Sequence, residues 1–284
     1  MSSYLDLDLL RCFVMVADTG TLSRAAERVG RSQAAVSMQM RRLESILERP
    51  LLNRTGRGVV MTVHGERLLT HARRILRSHD EAMAELSGRS LVGTLRFGCP
   101  DFYANAFLPA LLQKFAQQHP HARIEVVCAP SPRLLGQLNR NVIDLALVST
   151  ADEAAPGVLR IEELVWVVHE NAKGWQSVPL RLALGDPDTL DYTAAVSTLE
   201  TAKRAYEIAY SSGSLSGLLA VVRSGQAIAV LTRATVPPDF RILSTDNGLP
   251  RLPRIGLMLQ MDEKQASHLT RAFEAHVRTW LPLL

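Results

Sequence analysis

Residues 20–44 read GTLSRAAERVGRSQAAVSMQMRRLE, the pattern of a short helix, a glycine turn and a longer helix. Between Ser23 and Val29 the paired Ala25 and Ala26 are small enough to admit another helix at close range, and Gly30 supplies a left-handed residue after them. Ser32 stands as the N-cap of the next helix. In that helix Ala35, Val36, Met40, Leu43 and Leu47 share an apolar face, while Gln33, Ser37 and Arg41 fall on the other. This is the helix-turn-helix arrangement, whose second helix enters the major groove of duplex DNA. Gln and Ser side chains there read base edges, Gln being best matched to adenine.

Outward from this stretch the pattern extends in both directions. Upstream, Leu7, Leu10, Cys12, Phe13, Val14, Val16 and Ala17 recur at helical spacing from about Asp6 to Asp18, and Thr19-Gly20 ends the helix. Downstream, Pro50 breaks the recognition helix, and residues 51–62 (LLNRTGRGVVMT) predict two short strands around a glycine turn bearing Arg54 and Arg57, a wing. A long helix starts at or just after Thr62, with apolar or small residues at Leu68, Leu69, Ala72, Ile75, Leu76, Ala82, Met83 and Leu86. At 1.5 Å per residue it would extend roughly 37 Å, more than one small domain buries, so a partner helix is its expected cover.

The charge follows the same division. The formal net charge is only +4, but residues 1–90 hold 14 Arg and no Lys against 10 acids, while residues 91–284 balance 18 basic residues with 18 acidic ones. Between Arg24 and Arg77 stand 12 Arg against Glu27, Glu44, Glu48 and Glu66. An arginine-only basic segment is the electrostatic footprint of a polyanion-binding module, with guanidinium groups shaped for phosphate and guanine. For Arg73, Arg74 and Arg77 two readings stand side by side: phosphate contacts, or the solvated face of a dimer helix.

These residues carry a resemblance. LLRCF at 9–13, GTLSRAA at 20–26, SQAAVS at 32–37, RLE at 42–44, PLLNR at 50–54 and TVHG at 62–65 occur in the order and spacing of the LysR-type transcriptional regulators. The resemblance implies that positions 32, 33, 34, 37, 38 and 54 approach DNA. Here they are Ser32, Gln33, Ala34, Ser37, Met38 and Arg54. Ala34 stands where Pro is common, Met38 where Arg is common, Leu52 where Phe is usual, and Glu48 where Gly is usual, so no arginine contact is carried over to Met38. The expected DNA-binding set is Ser32, Gln33, Ala34, Ser37, Arg41, Arg54 and Arg57, with Gln33 and Ser37 on bases and Ser32 and Arg54 on phosphates.

From Leu91 onward the pattern turns to alternating strand and helix. Residues 91–98, 123–128 and 143–148 read as strands separated by helices at 102–119 and 134–140, an open, mostly parallel sheet with its ligand crevice beyond the strands' carboxyl ends. Residues 164–169 form a further strand that crosses into a second lobe, which would hold strands at 180–184 and 206–210 and helices at 192–204 and 215–224. A strand near 255–260 and a helix from about 263 to 280 complete the chain. This half is similar to the family's periplasmic-binding-protein-like effector domain. GCPD at 98–101, SGSLSG at 212–217 and Val230-Leu231 look most like the LrhA-type subgroup.

The resemblance implies an effector crevice lined by Cys99, Pro100, Asp101, Ser131 and Ser149 from the first lobe, and by Gly185, Asp186 and Ser214 from the second. The strand ends alone point to the same places. Helix N-termini after Pro100, Ser131 and Ser214 favour a small anion, whereas Asp101 and Asp186 favour a cationic or hydroxyl-rich ligand. Both readings stay open.

The expected fold is therefore α/β overall. A winged helix-turn-helix occupies 1–61, a dimerisation helix 62–88 and an effector domain 91–284, with lobe I at 91–162 and 235–284 and lobe II at 163–234. Expected partners are double-stranded DNA, a small-molecule effector, a second copy in a homodimer or homotetramer, and RNA polymerase. No cofactor and no metal site are expected. Cys12, Cys99 and Cys128 are too few and scattered for a disulfide framework or zinc site, although Cys99 and Cys128, at the ends of adjacent strands, leave a redox pair conceivable. His119 and His121 read as solvated turn residues, and His64, His71 and His79 lack ligand spacing. No signal-peptide pattern or membrane-span length occurs, so the expected location is cytoplasmic. A solute-binding or transport reading of the second half is disfavoured by the missing signal-peptide pattern and the Arg-rich N-terminal segment, and an enzyme reading finds no P-loop, nucleophile elbow, metal signature or GxGxxG to support it.

Overall fold

The computed structural model describes residues 5–56, 58–86, 91 and 93–284. The chain divides into two compact units, Met1–Gly93 and Thr94–Leu284.

The first unit runs α1 (Leu7–Thr19), α2 (Leu22–Val29), α3 (Gln33–Leu47), β1 (Leu52–Thr55), β2 (Gly58–Met61) and α4 (Val63–Leu86). Side-chain caps set the helix starts. Asp6 Oδ1 accepts from the Asp8 N–H at 2.8 Å, Thr21 Oγ1 from Arg24 at 3.2 Å and Ser32 Oγ from Ala35 at 3.2 Å, each satisfying a donor that has no partner within the helix. Gly20 and Gly30 end α1 and α2 at φ +68° and +64°. Glu48 ends α3 in the same left-handed region, at φ +51°, where an L side chain costs roughly 1–2 kcal/mol.

The core of this unit joins Leu10, Phe13 and Val16 of α1, Ala25 and Ala26 of α2, Val36, Met40 and Leu43 of α3, and Ala72 of α4. Cys12 belongs to it, which accounts for its place in the pattern of α1. The wing strands pair antiparallel, with Leu52 opposite Met61. Gly65 admits the start of α4 against the wing: an added Cβ would collide with the Leu51 carbonyl oxygen, which accepts from the Thr62 N–H at 2.9 Å. Arg73 takes neither of its two expected roles. Its side chain is largely buried and pairs with Asp18 of α1 at 2.6 Å, locking α4 to α1, whereas Arg74 is exposed.

The second unit runs β3 (Gly93–Cys99), α5 (Asp101–Gln118), β4 (Ala122–Cys128), α6 (Ser131–Asn139), β5 (Leu145–Thr150) and β6 (Val158–His169). It continues through β7 (Leu180–Leu184), α7 (Leu190–Thr201), β8 (Tyr206–Ser211), α8 (Leu215–Arg223), β9 (Ala229–Thr232), β10 (Phe240–Leu243), β11 (Arg254–Gln260) and α9 (His268–Trp280). The main sheet has the order β10-β6-β11-β5-β3-β4, with β9 also on β6. The strands expected to run mostly parallel are β3, β4 and β5, and the strands that complete the sheet make it mixed. Among the described pairings of this sheet only β3–β5 is parallel; β5–β11, β11–β6, β6–β9 and β6–β10 are antiparallel.

The physical reason is the length of β6. Val158–Glu163 pairs with β11, while Leu164–His169 pairs with β9 and β10, so one strand serves two parts of the unit and its partners must return against it. The sequence pattern places this strand only at 164–169, because Arg160, Glu162 and Glu163 interrupt its apolar run. Glu162 is nonetheless buried, paired to Arg160 and accepting from the Ala234 N–H. β7 and β8 form a separate parallel pair. Trp166 is core, its Nε1–H donating to the Pro250 carbonyl at 2.9 Å, and Trp175 packs half-buried on the same cluster. On the other side, Phe97, Phe115 and Phe273 meet edge to face, with ring centroids 4.9 and 5.2 Å apart.

Two substitutions test this account of the first unit. Glu48→Gly removes the left-handed penalty and is expected to stabilise the unit by about 1 kcal/mol, read as a higher denaturant midpoint for its unfolding. Gly65→Ala is expected to cost roughly 1–3 kcal/mol through the forced shift of Leu51, and an unchanged midpoint would contradict the close approach.

Candidate functional site

Two places draw together the residues singled out in the sequence. In the first unit they lie on the outer face of α3 and the adjoining wing. Ser32 caps the helix, Gln33, Ala34 and Arg41 are exposed, and Ser37 is half-buried. Arg54 reaches from β1 and donates through Nη2 to Ser37 Oγ at 2.8 Å, so helix and wing present one continuous polar edge. Arg57 lies outside the described residues.

Glu44 has no role legible in the sequence, and the fold gives it one. Its Oε1 accepts from the Leu51 and Leu52 N–H groups at 2.8 and 3.1 Å, fastening the chain after Pro50 back onto α3. Thr62 Oγ1 donates to the Pro50 carbonyl at 2.7 Å and accepts from the Gly65 N–H at 3.0 Å. The wing is thus held at both ends, and Arg54 with it. The first α3 turn contains no acid, so nothing offsets the partial positive end of the helix beside these arginines.

In the second unit a cavity of about 180 Å³ opens among the ends of β3, β5, β7 and β8 and the starts of the helices that follow. Pro100, Asp101, Ser131, Ser149, Gly185, Asp186 and Ser214 all line it. Cys99 does not: it is fully buried, with Sγ turned toward the Pro100 carbonyl, because an alternating strand directs it into the core rather than past the strand end. Burial pushes its thiol well above the usual range. The Cys128 thiol is held at about 11, by local loss of solvation and then by its hydrogen bond to the Asp101 carboxylate, even though the residue itself is exposed. Neither sulfur is a ready thiolate at neutral pH, which argues against the redox-pair reading.

The polar wall of the cavity is organised by its own hydrogen bonds. The Ser149 N–H donates to Ser131 Oγ at 3.0 Å, and Tyr103 OH and Ser149 Oγ lie 3.2 Å apart. Across from them, Thr189 Oγ1 donates to the Asp186 carbonyl at 2.8 Å, and Asp186 faces Arg133 of α6 at 3.7 Å. Asp191 lines the same wall, and burial raises its carboxyl pKa despite hydrogen bonds from Thr189 and two backbone N–H groups. Pro100 and Pro130 precede α5 and α6 without a side-chain cap, leaving early N–H groups of both helices beside the cavity. Leu164, Leu218, Val230 and Ile255 add apolar lining, with Asp188 and Thr232 among the further polar residues.

Tyr103, Thr189, Asp191 and Ser212 are lining residues that the strand-end argument misses. Thr189 and Asp191 had a signal, an N-cap residue with an acid two positions later. Tyr103 had none, since it sits inside the first turn of α5. Among the described residues no group of three His, Cys, Asp or Glu side chains could hold a metal ion, and no helix is long and apolar enough to cross a membrane.

Comparison with known proteins places this geometry. Residues 7–66 match the bacterial regulatory helix-turn-helix protein model of the lysR family, and residues 88–282 match the LysR substrate binding domain. The chain is 55% identical over 281 residues to the HTH-type transcriptional regulator DgdR of Burkholderia cepacia, covering 99% of this chain and 96% of the relative. It is 34% identical over 269 residues to PecT, an HTH-type transcriptional regulator of Dickeya dadantii (strain 3937), covering 94% of this chain and 85% of that one. In fold it is similar to CbnR, a LysR family transcriptional regulator, with a TM-score of 0.63 at 23% identity over 97% of this chain and 99% of that chain. CbnR bound to its target DNA aligns with a TM-score of 0.61 at 21% identity, again over 97% and 99% of the two chains. The chain belongs to the LysR family of DNA-binding transcriptional regulators, which pair a helix-turn-helix with a substrate-binding effector domain.

Proposed function

We propose that α3 is the recognition helix, that Gln33 and Ser37 read bases, and that Ser32, Ala34, Arg41, Arg54 and Arg57 complete the contact surface. The observation that carries this is the Arg54–Ser37 hydrogen bond. It sets a wing arginine beside the middle of an exposed helix face, where one cation can meet phosphate while the helix enters the groove. Ser37, already accepting from Arg54, keeps its hydroxyl hydrogen for a base acceptor.

The cavity of the second unit is proposed as the effector site. It is smaller than the 300–1,000 Å³ typical of drug-sized ligands, which suits a compact molecule with an apolar body and a few polar groups. The division into residues 1–61, 62–88 and 91–284 is retained as a proposal, with lobe II starting at 163. The change of partners along β6 at Glu163/Leu164 supports that start. Leu243, Leu249 and Leu252 pack with Leu180, Leu182 and Leu199, which favours a return to lobe I after β10 over the expected one at 235.

The long helix supports a homodimer, and two dimers a homotetramer. Ile75 and Met83 stand exposed on α4 at 37% and 58%, apolar surface that the same helix of a second copy would cover. A dimer would set two recognition helices in successive major grooves. Double-stranded DNA in the cytoplasm and a small-molecule effector are the partners of this reading, and RNA polymerase is a further partner open to a regulator bound there.

In binding assays on randomised duplexes, Gln33→Ala should relax preference at one base position, a loss of about 1–3 kcal/mol of discrimination. Arg54→Ala should instead weaken all sequences about equally and lower the salt slope by about one ion per protomer. For the effector, a compound raising the melting temperature of the full chain should act through the cavity. At a hundredfold excess over its Kd it should add about 2.7 kcal/mol. Leu135→Trp, which narrows the cavity from its partly exposed edge, should abolish that shift while leaving operator binding intact.

A further inference from the structure

We propose that Met38 is a specificity residue that recognises the C5 methyl group of a thymine in the major groove. The proposal rests on the reading of α3 as the recognition helix. Met38 is 71% exposed, whereas the neighbouring apolar residues Val36, Met40 and Leu43 are at most 3% exposed. It stands one helical turn after Ala34 and one turn before Arg41 and Arg42, beside Ser37. The residue therefore projects from the centre of a face whose other members are polar, charged or a single methyl.

Its chemistry limits what it can recognise. A thioether has no donor and only a weak acceptor, so it offers neither a phosphate contact nor a hydrogen-bonded base contact. The apolar group that duplex DNA presents in the major groove is the thymine methyl, and an unbranched, polarizable side chain adapts readily to such a small target. Ala34 and Met38, four residues apart, make an apolar strip about 6 Å long, close to two base steps at about 3.4 Å each. Ser37 is engaged by Arg54 on one side of that strip, and Gln33 stands beside Ala34. Base preference on α3 is then divided: Gln33 and Ser37 supply hydrogen bonds, and Met38 supplies the apolar reading of thymine at the next position.

The test uses the full-length protein and a duplex selected from a random pool. Each thymine of the selected site is replaced in turn by deoxyuridine, which keeps every hydrogen-bonding group and removes only the methyl. At one symmetric position the wild-type chain should bind about fourfold more weakly per methyl lost, the value expected for one buried carbon. Met38→Ala should bind the thymine and uracil duplexes equally there. Met38→Arg should move the preference at that same position to guanine, whose O6 and N7 accept from a guanidinium. The proposal is overturned if no thymine shows a methyl effect, or if Met38→Ala keeps the full discrimination. If Gln33→Ala leaves every base preference unchanged as well, the reading of α3 as recognition helix fails together with it. If Gln33→Ala shifts preference but Met38→Ala does not touch the uracil effect, only the role of Met38 is lost.

Discussion

The carboxylate of Glu44 holds the DNA-binding unit together at the point where it changes from helix to strand. By accepting from two successive N–H groups, those of Leu51 and Leu52, it turns the break at Pro50 into a fixed corner. The rest of the interface depends on that corner. β1 leaves it in one direction, Arg54 sits two residues along β1, and Arg54 then meets Ser37 on the very helix that carries Glu44. A short ring of interactions thus links α3, the wing and the exposed outer face of α3. Removing the carboxylate would leave two partly buried donors without this acceptor and loosen the wing from its helix.

In the effector unit the corresponding constraint is the continuity of β6. A strand that pairs with β11 over its first half and with β9 and β10 over its second makes the two halves of the unit share one backbone. The cavity lies beside Leu164 at that change of partners. Ser131 and Ser149 line it on one side and Asp186 and Ser214 on the other, so both halves that share the strand contribute to one cavity. The Arg133–Asp186 pair, 3.7 Å apart and largely solvated, contributes little energy itself but marks where the walls approach.

Much of this is legible in the sequence. The helix-turn-helix follows from Ala25, Ala26, Gly30 and Ser32, because small residues, a left-handed glycine and a cap have local causes that survive any tertiary setting. Strand ends likewise placed Pro100, Asp101, Ser131, Ser149, Gly185, Asp186 and Ser214 around one cavity. Other features were hidden. Charged Arg160, Glu162 and Glu163 masked half of β6, since a buried glutamate satisfied by Arg160 looks in sequence like a surface residue. Arg73 looked like a solvated or phosphate-binding cation and is instead tied to Asp18 across two helices. Cys99 looked like a crevice residue because it ends a strand, yet the alternation of side chains along the strand turns it inward.

The sequence by itself determined the element types, the separation of an arginine-rich module from a neutral one, and which face of α3 stays exposed. Each of these is encoded by neighbours within a few residues, where periodicity, capping and charge act without reference to distant parts of the chain. Tertiary structure decided the direction of the sheet strands, the corner made by Glu44, the pairing of Arg54 with Ser37 and the inward turn of Cys99. Those outcomes depend on hydrogen bonds and packing between segments far apart in sequence, whose partners no local pattern names.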